Sequence, residues 1–442
     1  MPALTRPLVL VLGVDKYVLE ACVRHDVETV LVEGGGQRDY ALQPIPAGVT
    51  VLRVDSVSSP EAVLGALHRN GYAGRRFDAV QTTDEWAMVT AGLLAQHLGA
   101  RAIDPVTALH FRDKSLQKQR ILEAGLPAAR SHVIDDIHDL GDLDELPFGK
   151  AVLKPIAGAA TTMTSVVEDI ARLRALSAKY RADHTGQRTF TLEEFVTGDE
   201  WVADGIVHDG EILFCALGRY SVPCLTTVDS ALPLVLRRFD PSSEAWAYEL
   251  GEPFVHKAIS ALGLRDGVFH LELFHDEKTG TLTFGECAAR RGGALVHEEV
   301  QVKFGVHLGE GALLPLLGIK PEIDVKVRPE TVGSTFLMGR PGTLFHCPSP
   351  AEMRALPGVE HVRVEAAFGQ VLSDAVGSTN ARIAQVLVSA DSEEAMLSRF
   401  EELRDWFGER LLIAPSGGPV RELRAWQREN WPAEDHRDLP WQ

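Results

Sequence analysis

The sequence predicts a mixed fold, with a doubly wound α/β region at the N-terminus followed by a larger α+β body. Three observations predict it. Apolar strand runs alternate with helical stretches through the N-terminal third. From about Phe111 the pattern changes to short strands joined by tight turns. Past about Glu330, further strand-like pieces precede one long helix. Strand–helix alternation builds parallel sheets, whereas turn-joined strand pairs build hairpins.

The first element is Leu8 to Leu12, an unbroken apolar run ending at Gly13, as expected of a parallel strand buried on both faces. A helix over Lys16 to His25, a strand over Glu28 to Val32 and a glycine-rich turn, Gly34-Gly35-Gly36, follow. Ala79-Val80-Gln81 and a helix from Glu85 to Leu98 repeat the theme. A dinucleotide site is argued against, because the turn after the first strand carries only Gly13, followed by Val14-Asp15. Without further glycines the backbone cannot closely approach a pyrophosphate.

Asp113-Lys114 opens a helix that stops at Gly125-Leu126-Pro127. Ala151-Val152-Leu153 is a strand ending in Lys154-Pro155. Phe190 to Val196 and Trp201 to Val207 are strand-like, the latter running into an Asp209-Gly210 turn. Val268 to Phe274 and Leu282 to Glu286 form a hairpin through Lys278-Thr279-Gly280. Val359 to Glu365 and Ile383 to Ser389 are further strands before a helix over Ser392 to Phe407. The tail from Asn430 is polar, with Trp and Pro, and reads as a loosely packed extension.

Composition bounds the function. The 442 residues are 45% hydrophobic, enough for a large core, and the length suggests two to four domains. A formal net charge of -18 without any Lys/Arg-rich run argues against a nucleic-acid partner. The five cysteines, Cys22, Cys215, Cys224, Cys287 and Cys347, are scattered without a C-x-x-C. That fits free thiols in a reducing compartment. No run approaches the ~20 apolar residues of a membrane span, so a cytoplasmic protein is expected.

Four features can carry chemistry. Lys114 stands at a helix start, and Lys154 at a strand end before the small-residue stretch Ala157 to Thr162. A mobile ammonium beside a loop of backbone N–H donors is suited to clamping phosphate. Glu193 to Glu200 is a strand edge whose C=O and N–H, two residues apart, can pair with an adenine. A carboxylate a few residues on can take ribose hydroxyls. Glu272 and Glu286 are hairpin neighbours. Two carboxylates that close call for a cation between them, and near a nucleotide that cation is Mg²⁺. Paired carboxylates also occur in retaining glycosidases, but those need neither the lysines nor the adenine-type strand. Arg290-Arg291-Gly292-Gly293 offers guanidinium groups for charge developing on a transferring phosphoryl or acyl oxygen.

Taken in order, these features resemble the ATP-grasp superfamily. Arg112-Asp113-Lys114 with Glu123-Ala124-Gly125-Leu126-Pro127 resembles its first lysine motif. Leu153-Lys154-Pro155 with Gly158 and Thr161 resembles its second lysine and phosphate-covering loop. Glu193 to Glu200 resembles the hinge of the D-alanine–D-alanine ligases, and Glu272 with Glu286 to Arg290 resembles the metal strand pair. Within the superfamily the sequence resembles the L-amino-acid ligases of the bacilysin type. Length, Leu356-Pro357-Gly358-Val359, Gly369 and Ala381-Arg382-Ile383-Ala384 support this.

The resemblance implies a preATP-grasp Rossmann-like domain (1–110), a lid region (111–200), a catalytic lobe (201–325) and a C-terminal ligase extension (326–442). It implies that Lys114 and Lys154 hold ATP phosphates with Gly158 and Thr161. Glu193 would belong to the nucleotide site, Glu194 and Val196 would meet adenine through backbone C=O and N–H, and Glu200 would bind the ribose. Glu272 and Glu286 would bind Mg²⁺, or Mn²⁺ in its place, and Arg290 with Lys154 would act in catalysis. Many relatives carry Asn two residues after the second metal carboxylate, where this chain has Ala288, so one oxygen ligand is missing. The implied activity is ligation of a small carboxylate to an amine through an acyl phosphate, with a homodimer compatible by analogy. Other readings are a ligase of primary metabolism, of purine-pathway or carboxylase type, and a nucleotide-binding module without turnover.

Overall fold

The computed structural model describes residues 6–35, 45–159, 161–230, 233–372, 382–415, 421 and 425–426. The expectations at Gly36, at Ala381 and for the tail from Asn430 lie outside the described residues. The chain divides into two compact units. Met1–Ala159, Met163–Arg219 and Phe239–Val327 form the first; Ala160–Thr162, Tyr220–Arg238 and Arg328–Gln442 form the second.

The first unit opens with a parallel sheet in the order Thr50–Val54, Glu28–Gly34, Leu8–Leu12, Ala79–Thr82. Every residue of Leu8–Leu12 is buried, as its unbroken apolar run requires. The helix Lys16–Arg24 starts where the Asp15 carboxylate accepts the N–H groups of Tyr17 and Val18, at 2.9 and 3.1 Å. The expected helix from Glu85 begins differently. Asp84 caps a 3₁₀ turn, Glu85–Ala87, and the α-helix proper is Met88–Leu98.

A second, antiparallel sheet has the order Ser131–Ile134, Phe190–Glu194, Ala151–Pro155, Ser165–Val167. Its apolar face and the helix Ile170–Ala182 share one core, which includes Leu153, Leu173, Phe190 and Leu192. The strand expected to reach Val196 ends at Glu194. The chain then turns through Gly198, whose φ of 134° and whose approach to the His275 carbonyl, 2.5 Å from where a Cβ would stand, both require glycine.

The third sheet of this unit runs Thr281–Ala288, Gly267–Asp276, Asp199–His208, Glu211–Tyr220, all antiparallel. Asp209 and Gly210, with φ of 50° and 82°, make the expected turn between the last two. One face of this sheet, including Trp201, Ala203, Phe269, Leu271 and Leu273, packs on the helix Ala245–Leu262. The other face carries Glu200, Asp204, His270 and Glu272 together with buried Val202, Ile206 and Val268.

In the second unit the strands Val235–Arg238, Thr331–Leu337, Ala384–Ala390 and Val359–Val364 pair antiparallel. The helix Glu393–Arg410 covers them with Met396, Phe400, Leu403 and Phe407. A three-stranded sheet orders Val371–Leu372, Gly342–His346 and Leu412–Ala414.

Candidate active site

The polar face of the third sheet carries the candidate site. Glu272 and Glu286 are direct cross-strand partners, so both side chains leave the same face. Gly285 is the extra residue of a β-bulge immediately beside them. A Cβ at Gly285 would lie 2.8 Å from the Glu272 carbonyl oxygen, so only glycine permits this pairing. The register puts Glu200, Val202 and Asp204 opposite Phe274, Glu272 and His270, on that same face. Asp204 is fully buried and accepts a hydrogen bond from His270 Nδ1 at 2.8 Å. Burial alone would lower the His270 pKa, but Asp204 and then Glu272 raise it to about 9. Ala288 is the Cα partner of His270.

Three lysines converge on these carboxylates. Lys114 lies in the first turn of the helix Lys114–Glu123, whose N-terminus is capped by Asp113. Its Nζ donates to Glu286 Oε1 at 2.8 Å and to the Gly158 carbonyl at 3.3 Å. Lys118, one turn later on the same helix face, donates to the Gly285 carbonyl and lies 3.3 Å from Glu193 Oε2. Between them, Gln117 donates to the Cys287 carbonyl at 2.8 Å and accepts the Cys287 N–H at 3.0 Å, fixing the helix against the strand.

Lys154 pairs in register with Thr191, two residues from Glu193, so the two charged side chains are diagonal neighbours on one face. Lys154 Nζ to Glu193 Oε2 is 3.1 Å. Burial pushes the Glu286 carboxyl up, but Lys114 and Lys154 outweigh it and hold the group at about 2. Burial opposes ionisation of Glu193 as well, and Lys118 and Lys154 keep it below the ordinary range. Glu193 Oε1 is buried and has no hydrogen-bond partner among the described residues.

The remaining expected residues divide. Glu194 points away from Glu193 and forms a two-pronged ion pair with Arg130, at 2.8 and 2.9 Å. Val196 is half-buried just past the strand end, and Glu200 is buried on its strand. Thr161 is half-buried in the turn 161–163 and groups with the second unit. Arg290 forms an ion pair through Nε with Glu85, whose other oxygen accepts from Arg112 at 2.7 Å. Arg112 also donates to the Ala157 carbonyl, so this chain of charges holds the loop that follows Lys154. Next along, Arg291 Nε reaches Asp15 Oδ2 at 2.9 Å.

Sequence reasoning missed Lys118, Glu85, Asp15 and Asp204. The spacing Lys114-x-x-x-Lys118 was the available signal for the first, since residues four apart share a helix face.

Among solved structures, an L-amino acid ligase from Bacillus licheniformis superposes with a TM-score of 0.73 at 19% identity, covering 93% of this chain and 99% of that one. A carboxyaminoimidazole ribonucleotide synthase from Aspergillus clavatus, complexed with ATP, superposes with a TM-score of 0.67 at 14% identity, covering 90% and 98%. The fold is the ATP-grasp fold. A phosphoribosylglycinamide synthetase from Anaerococcus prevotii shares this ATP-grasp architecture, with a TM-score of 0.64 at 14% identity over 93% of this chain and 100% of that one. In sequence, an L-arginine-specific L-amino acid ligase of Bacillus subtilis is 25% identical over 307 residues, 69% of this chain and 73% of that protein. No family model matches the chain. Among the described residues, no helix is long and apolar enough to cross a membrane.

Proposed function

We propose that this chain is an ATP-dependent carboxylate–amine ligase that forms an amide bond through an acyl phosphate and releases ADP and phosphate. The observation that carries the reading is that Lys114 meets Glu286, the cross-strand partner of Glu272, while Lys118 and Lys154 meet Glu193. The match to L-amino acid ligases in both sequence and fold supports amino acids as substrates. The four-part division at 110, 200 and 325 belongs to the same proposal.

The residues present fit ATP and a divalent cation. Glu193 Oε1 is a buried acceptor without a donor, which an exocyclic amine can supply. Two carboxylates on one face, with Glu286 held ionised by its lysines, suit Mg²⁺, which is bound by one or two carboxylates with phosphates and waters. When bound, the cation supplies neutralisation of charge on the phosphate oxygens. Lys114 and Lys154 would bind the phosphates, with the backbone at Gly158. The backbone of Glu194 and Val196 meets the adenine, and Glu200 the ribose.

The substrate carboxylate oxygen attacks the γ-phosphorus, and the bond to the β-phosphate oxygen breaks to release ADP. The amine then attacks the acyl carbon, loses a proton, and phosphate leaves. Phosphoryl transfer asks the protein mainly to position groups and balance charge. Arg290, held by Glu85, presents its guanidinium to the oxygens that gain charge.

The test is a screen for ADP release over pairs of amino acids and small carboxylic acids, with products read by mass spectrometry. The reading predicts a condensation product in step with ADP. ADP release with no condensation product for any pair would overturn it.

A further inference from the structure

Of the two ammonium groups that share Glu193 Oε2, only one is open to a ligand. The Lys154 side chain is 20% exposed, and that of Lys118 is 3% exposed. Lys118 is also tied by its second contact, the Gly285 carbonyl, to the bulge that sets Glu286. It therefore cannot be a phosphate clamp itself. Yet it is the second counter-charge on a carboxylate whose own side chain is 4% exposed.

We propose that Lys118 is a positioning residue that keeps Glu193 neutralised when Lys154 turns from Glu193 to a phosphate of ATP. In the structure each clamp lysine is engaged with an acid, Lys114 with Glu286 and Lys154 with Glu193. To hold phosphate, Lys154 must loosen or share that contact. A buried carboxylate that loses its only partner is strongly destabilised, and a clamp lysine bound to it alone would be held in place. Lys118 removes that conflict. It stays on Glu193 from the buried side, so the ion pair survives while the exposed partner changes. A lysine suits the exchangeable position, being a point charge on a flexible stem rather than a planar fork locked to one carboxylate.

The inference rests on the ATP-binding reading above. The experiment is calorimetry of Mg·ATP binding, with KM and kcat for ATP, on Lys118→Met, Glu193→Gln, the double variant and Lys118→Arg. Lys118→Met is expected to weaken Mg·ATP binding about tenfold or more, with kcat at saturating ATP within about threefold. In the Glu193→Gln background the same change is expected to cost less than about threefold. A neutral amide needs no counter-charge and still presents an acceptor oxygen. Lys118→Arg, which keeps the charge, should stay within about threefold of the unsubstituted protein.

Unchanged affinity in Lys118→Met, or an equal loss in both backgrounds, overturns the proposal, because a packing role alone gives additive losses. If Lys118→Met does not fold, the Glu193→Gln pair decides: the double variant must fold and bind as Glu193→Gln does. A chain that binds no Mg·ATP before any substitution removes the underlying reading instead.

Discussion

Two regions of the first unit bury opposite charges in different ways. At the carboxyl end of the parallel sheet, Asp15 and Glu85 face Arg291 and Arg290. On two antiparallel sheets, Glu286 of one and Glu193 of the other face Lys114, Lys118 and Lys154. In the first region each acid also has a structural duty. Asp15 caps a helix and accepts from Thr83 at 2.8 Å, and Glu85 bridges two guanidinium groups. In the second region one carboxylate oxygen serves two ammonium groups, and a second oxygen of the same residue serves none. Arginine with capped acids makes a fixed frame, whereas lysine with shared acids makes a set of contacts that a ligand can exchange. The two meet at the Gly158 carbonyl, which accepts from Arg112 at 3.4 Å and from Lys114 at 3.3 Å.

The comparison breaks if the two regions respond alike. Asp15→Ala removes a cap and leaves Arg291 without its partner. It should destabilise the fold by about 3–5 kcal/mol in urea unfolding. A loss of activity with unchanged unfolding would place Asp15 in the exchangeable set instead. Glu286→Gln is expected to do the reverse. Turnover should fall at least ~10²-fold, while the unfolding midpoint moves much less than for Asp15→Ala. Near-normal kcat at saturating Mg²⁺ would remove the metal role from Glu286.

A third test concerns the packing behind the frame. His297 is fully buried against Tyr17, with ring centroids 3.6 Å apart. Burial, and next the nearby His307, lower its pKa from 6.5 to about 3. Between those values the unfolded chain binds the proton and the folded chain does not. The contribution is therefore fully present above pH 6.5 and is lost as pH falls toward 3. His297→Phe should flatten the acid limb of the stability profile by up to ~1.4 kcal/mol per pH unit. An unchanged slope would mean that His297 titrates alike in both states.

How much of this the sequence carries depends on how far apart the partners lie. The Glu272–Glu286 pairing is local, fixed by a turn at Lys278-Thr279-Gly280, and was legible for that reason. Lys114 and Lys154 were legible because each sits at an element end with a distinctive neighbourhood. The bulge at Gly285 was not, since its meaning is the closeness of the Glu272 carbonyl. Arg290 with Glu85 and Arg291 with Asp15 join residues 205 and 276 positions apart, and no periodicity reports such a contact. Beyond its spacing from Lys114, Lys118 gave no signal of its own, because its place between Glu193 and Gly285 depends on two strands distant in sequence. Glu193 and Glu194 face opposite ways on their strand, and the sheet order decides which one meets the lysines.

The proposed reaction is attack at the γ-phosphorus, resting on Lys114 beside the Glu272–Glu286 pair and on Lys154 beside Glu193. Hydroxylamine traps an acyl phosphate as a hydroxamate, so the natural amine need not be known. The most direct measurement is chromatography of the nucleotide product formed with a carboxylate substrate and hydroxylamine. ADP in one-to-one ratio with hydroxamate is the predicted result, and AMP with pyrophosphate would contradict it.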